Sequence, residues 1–416
     1  MDRADCVPVL HSDALRPAHA PVDLRQAVAA DLPVIAEVDG RAFGMHYSDA
    51  DLDDVRLLFE PDRFLMARAG DDTVGVTGSF PFDVTLPGGA AVAAAGVTWV
   101  SVAVTHRRRG ILRAMLAAQH RGFVDDGLAV SLLTASEGGI YGRFGYGIAT
   151  EHRTVEIDRR RAALRKDVED TGGVREVGTA ELRRLAPDIH RRWAALTPGA
   201  LSRSDGWWDT LLADREHQRH GATPLFHLVH PDGYVSYRRD NATRTCRIVE
   251  VVTASDEAYV ALWSTVLAID LVDTVSCRSM AAAEPLSHLL ADPRQMRTVD
   301  QRDGMWARVL DVPAALAARR YTVELDVVLD VHDPFLDRGG RFRLRGGPDG
   351  AECVPAEGGA PVVGVGTAAL GTLLFGGGHA GALARAGLLR ADDPAALRRL
   401  DAAFRADRTP QHGTEF

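Results

Sequence analysis

Apolar and polar positions along this chain follow two periods, and these periods separate predicted strands from predicted helices. Apolar residues at every second position predict a strand, and spacings of three and four residues predict an amphipathic helix. A hairpin series followed by strand, turn, helix and strand favours a mixed sheet with helices packed on it. The first hundred residues fit this order, with strands over Val22–Ala27, Arg63–Ala69, Val74–Val84 and Ala91–Val104 and helices over Ala30–Phe43 and Asp49–Phe59.

The segment from Val97 to Gly147 carries the clearest pattern. An alternating strand ends in the basic turn RRRG at 107–110, and an amphipathic helix then runs to Gly127. The first turn of a helix has N–H groups without intrahelical partners and lies at the positive end of the helix dipole. With arginines beside it, this turn is typical of a phosphate or pyrophosphate site. For the arginines alone, a solvated charge run is the alternative interpretation.

A second buried strand, Val130–Ala135, leads into a glycine-rich segment with interleaved aromatic residues at 136–147. Glycine at this density permits tight turns and close approach of a ligand to the backbone. The same composition is also typical of a flexible loop. The segment alone therefore leaves a ligand site and a loop both open.

The rest of the chain repeats strand and helix patterns in two further regions. In the central region the strand Glu151–Ile157 is expected to close the first unit, and the charged run Asp158–Val174 reads as a linker. Helices are predicted over Thr179–Ala195, Trp207–Leu212 and Ser255–Ile269, with strands over Phe226–Tyr237 and Thr245–Thr253. The third region is expected to begin with Met305–Arg319, followed by strands over Val323–Asp330, Arg341–Arg345 and Ala360–Val365 and helices over Thr367–Phe375 and Asp393–Phe404.

Length and composition limit the class of protein. At ~150 residues per domain, 416 residues predict two or three domains. No apolar run reaches the ~20 residues that span a bilayer, and the first residues lack a signal-type apolar block. We therefore expect a cytoplasmic protein that does not enter a membrane, with residues 1–20 flexible. Cys6, Cys246, Cys277 and Cys353 show no metal-ligand spacing, so no metal site is expected.

The charge of the chain bears on its partners. The formal net charge is −9, which opposes nucleic-acid binding because such proteins carry a basic surface. An acidic surface attracts cationic substrates such as polyamines, lysine-rich segments or aminoglycosides, although it also serves solubility alone.

Several motifs of this sequence resemble those of a known family. They are THRRRGILRAM at 105–115, ASEGGIYGRFGYG at 135–147 and the ending RRLDAAF…EF, with looser matches at 230–234 (HPDGY) and 303–316. Together they resemble the Eis (enhanced intracellular survival) family of GNAT N-acetyltransferases. Two positions depart from the wider GNAT pattern. Leu112 is bulky where the wider pattern has a small residue, and Eis proteins also carry a bulky residue there. Val104 replaces a proline, which changes only how the strand ends.

The resemblance implies a mixed fold of class α+β and α/β with three domains. These are an N-terminal catalytic GNAT domain at 1–157, a degenerate GNAT-like domain without a cofactor site at 158–304, and a sterol-carrier-protein-like domain at 305–416. The central region lacks an RRxG turn, which independently supports the loss of a cofactor site. For the third region, an unrelated α/β cap is the alternative. A homo-oligomer, a hexamer in this family, is also implied.

The resemblance also implies a site for acetyl-CoA. Strand-edge groups at 100–102 would pair with the pantetheine amides, and the basic turn would hold the pyrophosphate. The implied cofactor residues are Val100, Ser101, Val102, Arg108, Arg109, Gly110, Ile111, Leu112, Arg113, Ser136 and Glu137.

The catalytic residues are implied by position in the family motifs. Tyr141 matches the family's general acid, with Tyr146 as the fallback, and the terminal carboxylate of Phe416 matches its proposed general base. Packing for Tyr141 and a functionless terminus for Phe416 are the alternatives that the motif matches override. The acceptor amine is expected to contact Glu415, Phe43 and Trp99, and the alternative bases are Glu415, Asp49 and His46.

The implied activity is direct acetyl transfer from acetyl-CoA to a primary amine of a cationic acceptor, such as an aminoglycoside or a lysine side chain. A cysteine nucleophile is not expected, because no cysteine lies in the predicted core of the site. The second hypothesis is a lipid- or sterol-binding carrier that retains a vestigial GNAT core.

Overall fold

A computed structural model describes residues 22–357 and 360–416. The segment expected to be flexible and Cys6 therefore lie outside the described residues. The strands are β1 (Val22–Gln26), β2 (Leu65–Ala69), β3 (Asp72–Thr85), β4 (Ala91–Val102), β5 (Val130–Thr134), β6 (Gly147–Ile148), β7 (Glu151–Asp158), β8 (Arg175–Val177), β9 (Phe226–His230), β10 (Gly233–Asp240), β11 (Thr245–Thr253), β12 (Thr274–Ala281), β13 (Met296–Asp303), β14 (Met305–Val309), β15 (Leu325–His332), β16 (Gly340–Gly347), β17 (Gly350–Pro355), β18 (Val362–Gly366) and β19 (Leu389–Ala391).

Helices pack on the faces of the sheets that these strands form. They are α1 (Leu32–Phe43), α2 (Asp49–Arg56), α3 (Ile111–Asp125), α4 (Gly138–Tyr141), α5 (Thr179–Leu196), α6 (Asp205–Leu212), α7 (Asp256–Leu267), α8 (Leu286–Leu289), α9 (Val312–Ala317), α10 (Thr367–Leu374), α11 (Ala380–Arg385) and α12 (Pro394–Phe404). Within the described ranges, no helix combines the length and apolar character needed to cross a membrane.

The first sheet has seven strands in the order β1-β2-β3-β4-β5-β14-β6. Its central crossover joins β4 to the parallel strand β5 through α3, which buries Ile111, Met115, Leu116 and Phe123 against the sheet. Two parallel strands need such a crossover, because the chain must return to the end of the sheet where the first strand began, and a tight turn is too short for this. The apolar stripe predicted for this helix therefore faces the core, with Leu112 only partly buried.

The second sheet also has seven strands, in the order β13-β7-β12-β11-β10-β9-β8. Helix α7 covers one face, and it begins where the hydroxyl of Ser255 accepts the backbone N–H of Ala258. Helix α5 covers part of the other face with a separate apolar cluster around Trp193 and Trp208. The parallel pair β11 and β12, joined by α7, repeats the crossover of the first sheet.

The third sheet has five strands in the order β17-β16-β15-β18-β19. Its core is continuous with that of the first sheet, because α10 packs on β14 and β6. The approach is close enough that a Cβ atom at Gly371 would lie 2.0 Å from the carbonyl oxygen of Ala307. The C-terminal region is therefore fixed against the first sheet rather than tethered loosely.

Two predicted assignments are wrong, and both concern the domain junctions. Strand β7, which was expected to close the first unit, lies between β13 and β12 in the second sheet. Strand β14, which was expected to open the third region, lies between β5 and β6 in the first sheet. Both strands pair with partners distant in sequence, and hydrophobic periodicity carries no information about such partners.

Candidate active site

The site begins where the parallel strands of the first sheet separate. β4 pairs with β5 only from Ala94 to Val97, although β4 continues to Val102. Opposite β3 the ladder shifts between Thr98 and Ser101, and Trp99 takes a left-handed φ of 53°. Such a bulge bends a strand and interrupts its pairing. The edge of β4 beyond Val97 is therefore free of β5 and available to a ligand.

A cleft of about 560 Å³ lies beside this edge, and we call it the turn cleft. Ten of the eleven predicted cofactor residues line it, together with Phe43, Tyr141 and the basic turn. Arg107 of the predicted basic turn also lines it. Residues that the sequence did not single out contribute as well: Ala42, His106, Ile140, Arg143 and Phe144. The strand edge, the turn and the glycine-rich segment thus converge on one cleft.

The basic turn forms the anion end of the turn cleft. Gly110 caps α3 with a φ of +82°, a conformation that favours glycine, and no side chain caps this end of the helix. The first-turn N–H groups of α3 therefore remain open, and Arg107, Arg108 and Arg113 line the cleft around them. Arg109, the eleventh predicted residue, does not line the cleft, and its guanidinium donates to the carbonyl of Thr105 at 2.6 Å.

A second cleft of about 490 Å³ meets the first, and we call it the tail cleft because Glu415 and Phe416 line it. Four residues line both clefts: Phe43, Val100, Ser136 and Tyr141. Trp99 also lines the tail cleft. It stacks on Tyr47 at a ring separation of 5.2 Å. The predicted acceptor residues therefore lie together, on the far side of the strand edge from the basic turn.

Tyr141 lies at the junction of the two clefts. Its side chain is only 6% exposed, and burial together with the charge of Glu137 raises the pKa of the phenol to about 12. Its hydroxyl is consequently protonated at neutral pH. Tyr146, the fallback residue, lines neither cleft, and its hydroxyl is bonded to His120 at 2.7 Å and Ser131 at 2.6 Å. Tyr141 is therefore the phenol that a ligand can reach.

The tail at 411–416 runs between the domains and ends in the tail cleft. The buried guanidinium of Arg203 donates to the carbonyl of Gly413 and to the hydroxyl of Thr414, and it also pairs with Glu250. Its side chain is only 1% exposed. At the end of the tail, Thr134 on β5 donates to an oxygen of Phe416 at 3.0 Å. The Phe416 ring packs on Phe82 at 5.0 Å, so both ends of this tail segment are anchored.

A chain of hydrogen bonds orients Glu415 beside the terminus. Met305 donates its N–H to the hydroxyl of Thr150, which leaves the hydroxyl proton for Nδ1 of His412 at 3.1 Å. Nε2 of His412 then carries the ring proton and faces Glu415 at 3.2 Å. This hydrogen bond lowers the pKa of Glu415 and keeps the carboxylate anionic.

The tail cleft also contains charged residues that sequence reasoning missed. His152, Arg278, Arg302 and Asp303 line it from strands of the second sheet. Asp303 opens the loosely matched motif at 303–316, but neither it nor the other three was marked as a site residue, because they reach the cleft only through the pairing of β7 with β12 and β13. His46 and Asp49, the more distant alternative bases, line neither cleft. Burial lowers the pKa of His152, so its imidazole is neutral at physiological pH.

Comparison with known proteins agrees with this arrangement. A family model described as an acetyltransferase (GNAT) domain matches residues 23–149, and another with the same description matches residues 199–309. A sterol carrier protein domain matches residues 312–412. The chain is 40% identical over 358 residues to the N-acetyltransferase Eis of Mycobacterium tuberculosis, covering 84% of this chain and 87% of that protein. The chain belongs to the Eis family of GNAT N-acetyltransferases.

Other members of the Eis family and its structural relatives extend the match. An uncharacterized N-acetyltransferase of Streptomyces coelicolor is 36% identical over 350 residues, which cover 81% of this chain and 84% of that protein. The crystal structure of Eis1 from Mycobacterium abscessus matches with a TM-score of 0.84 and 35% identity, covering 95% of this chain and 100% of that one. The prediction of two GNAT domains and a sterol-carrier-like domain is confirmed, and the protein is an N-acetyltransferase.

Proposed function

We propose that this enzyme transfers an acetyl group from acetyl-CoA directly to a primary amine of a cationic acceptor. In this proposal the turn cleft holds acetyl-CoA, and the tail cleft holds the acceptor. The observation that supports it most is the junction of the two clefts, which share Phe43, Val100, Ser136 and Tyr141. Two ligands bound on either side of this junction can react without a covalent enzyme intermediate.

Each end of the turn cleft suits one part of acetyl-CoA. The free edge of β4 offers N–H and C=O groups for the pantetheine amides, and one of these N–H groups can polarise the thioester carbonyl. The open N–H groups of α3 and the arginines around them suit the pyrophosphate. An intact cleft of this kind favours catalysis over a carrier with a vestigial GNAT core.

The proposed reaction uses one group on each side of the thioester. The bound ammonium first loses one proton to water, which leaves a neutral amine with a free lone pair. The terminal carboxylate of Phe416 orients this amine and accepts a second proton as the nitrogen bonds to the carbonyl carbon. The C–S bond then breaks, and Tyr141 donates a hydrogen bond to the departing sulfur. With a phenol pKa of about 12, complete transfer of this proton to a thiolate of pKa ~8.5 is uphill by about 5 kcal/mol. Tyr141 therefore acts mainly by stabilising the thiolate, and the thiol gains its proton overall from the amine.

The acceptor class follows from the charges in the tail cleft. Glu415 and the terminal carboxylate lie where the amine would bind, and they favour a cation. Arg278 and Arg302 lie in the same cleft, so a cationic group of the acceptor is expected beside Glu415 and Phe416 rather than beside these guanidinium groups. Aminoglycosides and lysine side chains are the acceptors we propose within this class.

The proposed function is tested by mixing the purified protein with acetyl-CoA and a panel of amines. We expect release of free CoA thiol only when a primary amine is present, with the acetylated product identified by mass spectrometry. Release of thiol without product, or no turnover with any amine in the panel, would contradict the proposal.

The pyrophosphate site leads to a prediction with a matched control inside the same turn. Arg108→Glu should weaken acetyl-CoA binding about tenfold or more, because it converts an attraction for phosphate into a repulsion. Arg109→Glu should have a much smaller effect, since Arg109 does not line the cleft. Calorimetric titration of both variants measures the difference. Equal affinities for the two variants would show that the pyrophosphate binds elsewhere.

A further inference from the structure

A third cavity, of about 220 Å³, lies in the central domain against the tail, and we call it the side pocket. Aromatic and aliphatic side chains form most of its wall, including Trp193, Trp208, Leu211, Leu212 and Val249. Leu211 and Val249 are 40% and 50% exposed, and they form its outer rim. An apolar cavity of this kind stabilises an apolar group that leaves water to enter it.

A β-bulge in β11 shapes the side pocket. The pairing of β10 with β11 shifts so that Ser236 opposes Glu250 and Tyr237 opposes Ile248, which leaves Val249 as an extra residue. Ile248 and Val251 both pack on the core beneath α7. Val249 and Glu250 therefore both face the opposite side, where they line the pocket.

The buried charged groups in the wall of the side pocket, Arg203 and Glu250, neutralise one another. Arg203 pairs with Glu250 at 2.5 Å, and the hydroxyl of Tyr234 donates to Glu250 at 2.8 Å. The Arg203 guanidinium also lies over the ring of Trp208 at 4.8 Å. Because Arg203 and Glu250 are paired with each other, neither leaves a charge for an apolar group to satisfy. The other carboxylates of the lining, Glu151 and Glu415, suit the cationic end of an amine.

The side pocket adjoins the tail cleft. His152, Ser279 and Glu415 line both cavities. The Glu415 side chain is 65% exposed, so it lines this boundary without being packed in place. A molecule whose amine lies at Phe416 can therefore extend past Glu415 towards the aromatic wall.

We propose that the side pocket binds an aryl or branched alkyl group at the far end of the amine acceptor. This inference rests on the proposed function and adds to its acceptor class amphiphilic amines with the positive charge at the reacting end. A dry apolar cavity of ~150 Å³ holds benzene, so 220 Å³ accommodates a ring and adjoining methylene groups. Each methylene that leaves water is expected to tighten binding roughly fourfold.

The test compares two series of acceptors in the acetyl-CoA assay: ω-phenylalkylamines with spacers from ethyl to octyl, and n-alkylamines of the same spacer lengths. If the phenyl group reaches the side pocket, there is a threshold spacer length. Above this threshold, the KM of each phenylalkylamine should be at least tenfold lower than that of the matching alkylamine. Below that length the two series should have similar KM values, because the ring cannot reach the pocket.

A variant of the rim and its matched control locate the effect. Val249→Trp fills the mouth of the side pocket and should remove most of the advantage of the long phenylalkylamines. Val299→Trp is the control, because Val299 is also the extra residue of a bulge, is 48% exposed and lines none of these cavities. It should retain the advantage, and thermal melts check that both variants are folded.

The outcomes separate this inference from the proposed function. Acetylation of both series with no phenyl advantage, or an advantage that survives Val249→Trp, would overturn the side pocket while leaving the acetyltransferase proposal intact. If neither series nor any other amine is acetylated, the proposed function itself fails, and the inference fails with it.

Discussion

Adding a short Gly-Ser extension after Phe416 is expected to reduce turnover by roughly 10²-fold or more, the range for loss of a general base. The extension converts the carboxylate into an amide, which has neither the charge nor the basicity to take a proton from the amine. Thr134 holds this group at the end of β5, so no other part of the tail can replace it at the same place. The measurement is kcat with saturating acetyl-CoA and amine.

Two controls identify the carboxylate as the cause of this loss. Acetyl-CoA affinity should be unchanged in the extended protein, because residues 411–416 do not line the turn cleft. Phe416→Leu retains the carboxylate and an apolar side chain against Phe82, so it should keep much of the activity. Full turnover by an extended protein whose added residues are confirmed by mass would exclude the terminal carboxylate. Glu415 and the neutral His152 would then be the bases to test.

Tyr141→Phe is expected to lower kcat by roughly 10²-fold with little change in acetyl-CoA affinity. The substitution removes only the hydroxyl that donates to the departing sulfur, a loss comparable to that of one oxyanion donor. Because the pKa of this phenol is raised to about 12, it remains protonated throughout the usual assay range. The pH profiles of the two proteins between pH 7 and 10 should therefore have the same shape at different heights.

The neighbouring tyrosine supplies the control for this prediction. Tyr146→Phe leaves His120 and Ser131 without the hydroxyl between them, which should cost about 1–3 kcal/mol of stability. Its kcat should change much less than that of Tyr141→Phe, since Tyr146 lines neither cleft. If the two variants exchange these effects, Tyr146 is the catalytic phenol and Tyr141 only packs.

The composition of the turn cleft could be predicted from sequence. The strand, the basic turn and α3 are consecutive in the chain, so short-range periodicity and helix-end chemistry were enough to place Arg108 and Gly110 at an anion site. Arg109 shows the limit of that reasoning. The pattern RRRG does not specify which guanidinium turns back onto a carbonyl, as this one does onto Thr105.

The tail cleft was decided by tertiary structure. Glu415 and Phe416 were expected at the site only through the resemblance of the C-terminal motif, whereas the anchors of the tail on Arg203, Thr150 and Thr134 follow from the packing of three domains. The same holds for His152 and Arg302, which enter the tail cleft through pairing between strands far apart in sequence.

The sequence by itself therefore determined most elements of the first unit, the family and the basic turn, because each depends on residues that are neighbours in the chain. It did not mark strands such as β12 and β13. Only the folded chain determined that β7 leaves the first sheet and β14 joins it. Periodicity reports which face of a strand is buried, and it is silent about which strand pairs with it. The tail cleft is assembled from such long-range pairings, so its shape and charge belong to the tertiary structure.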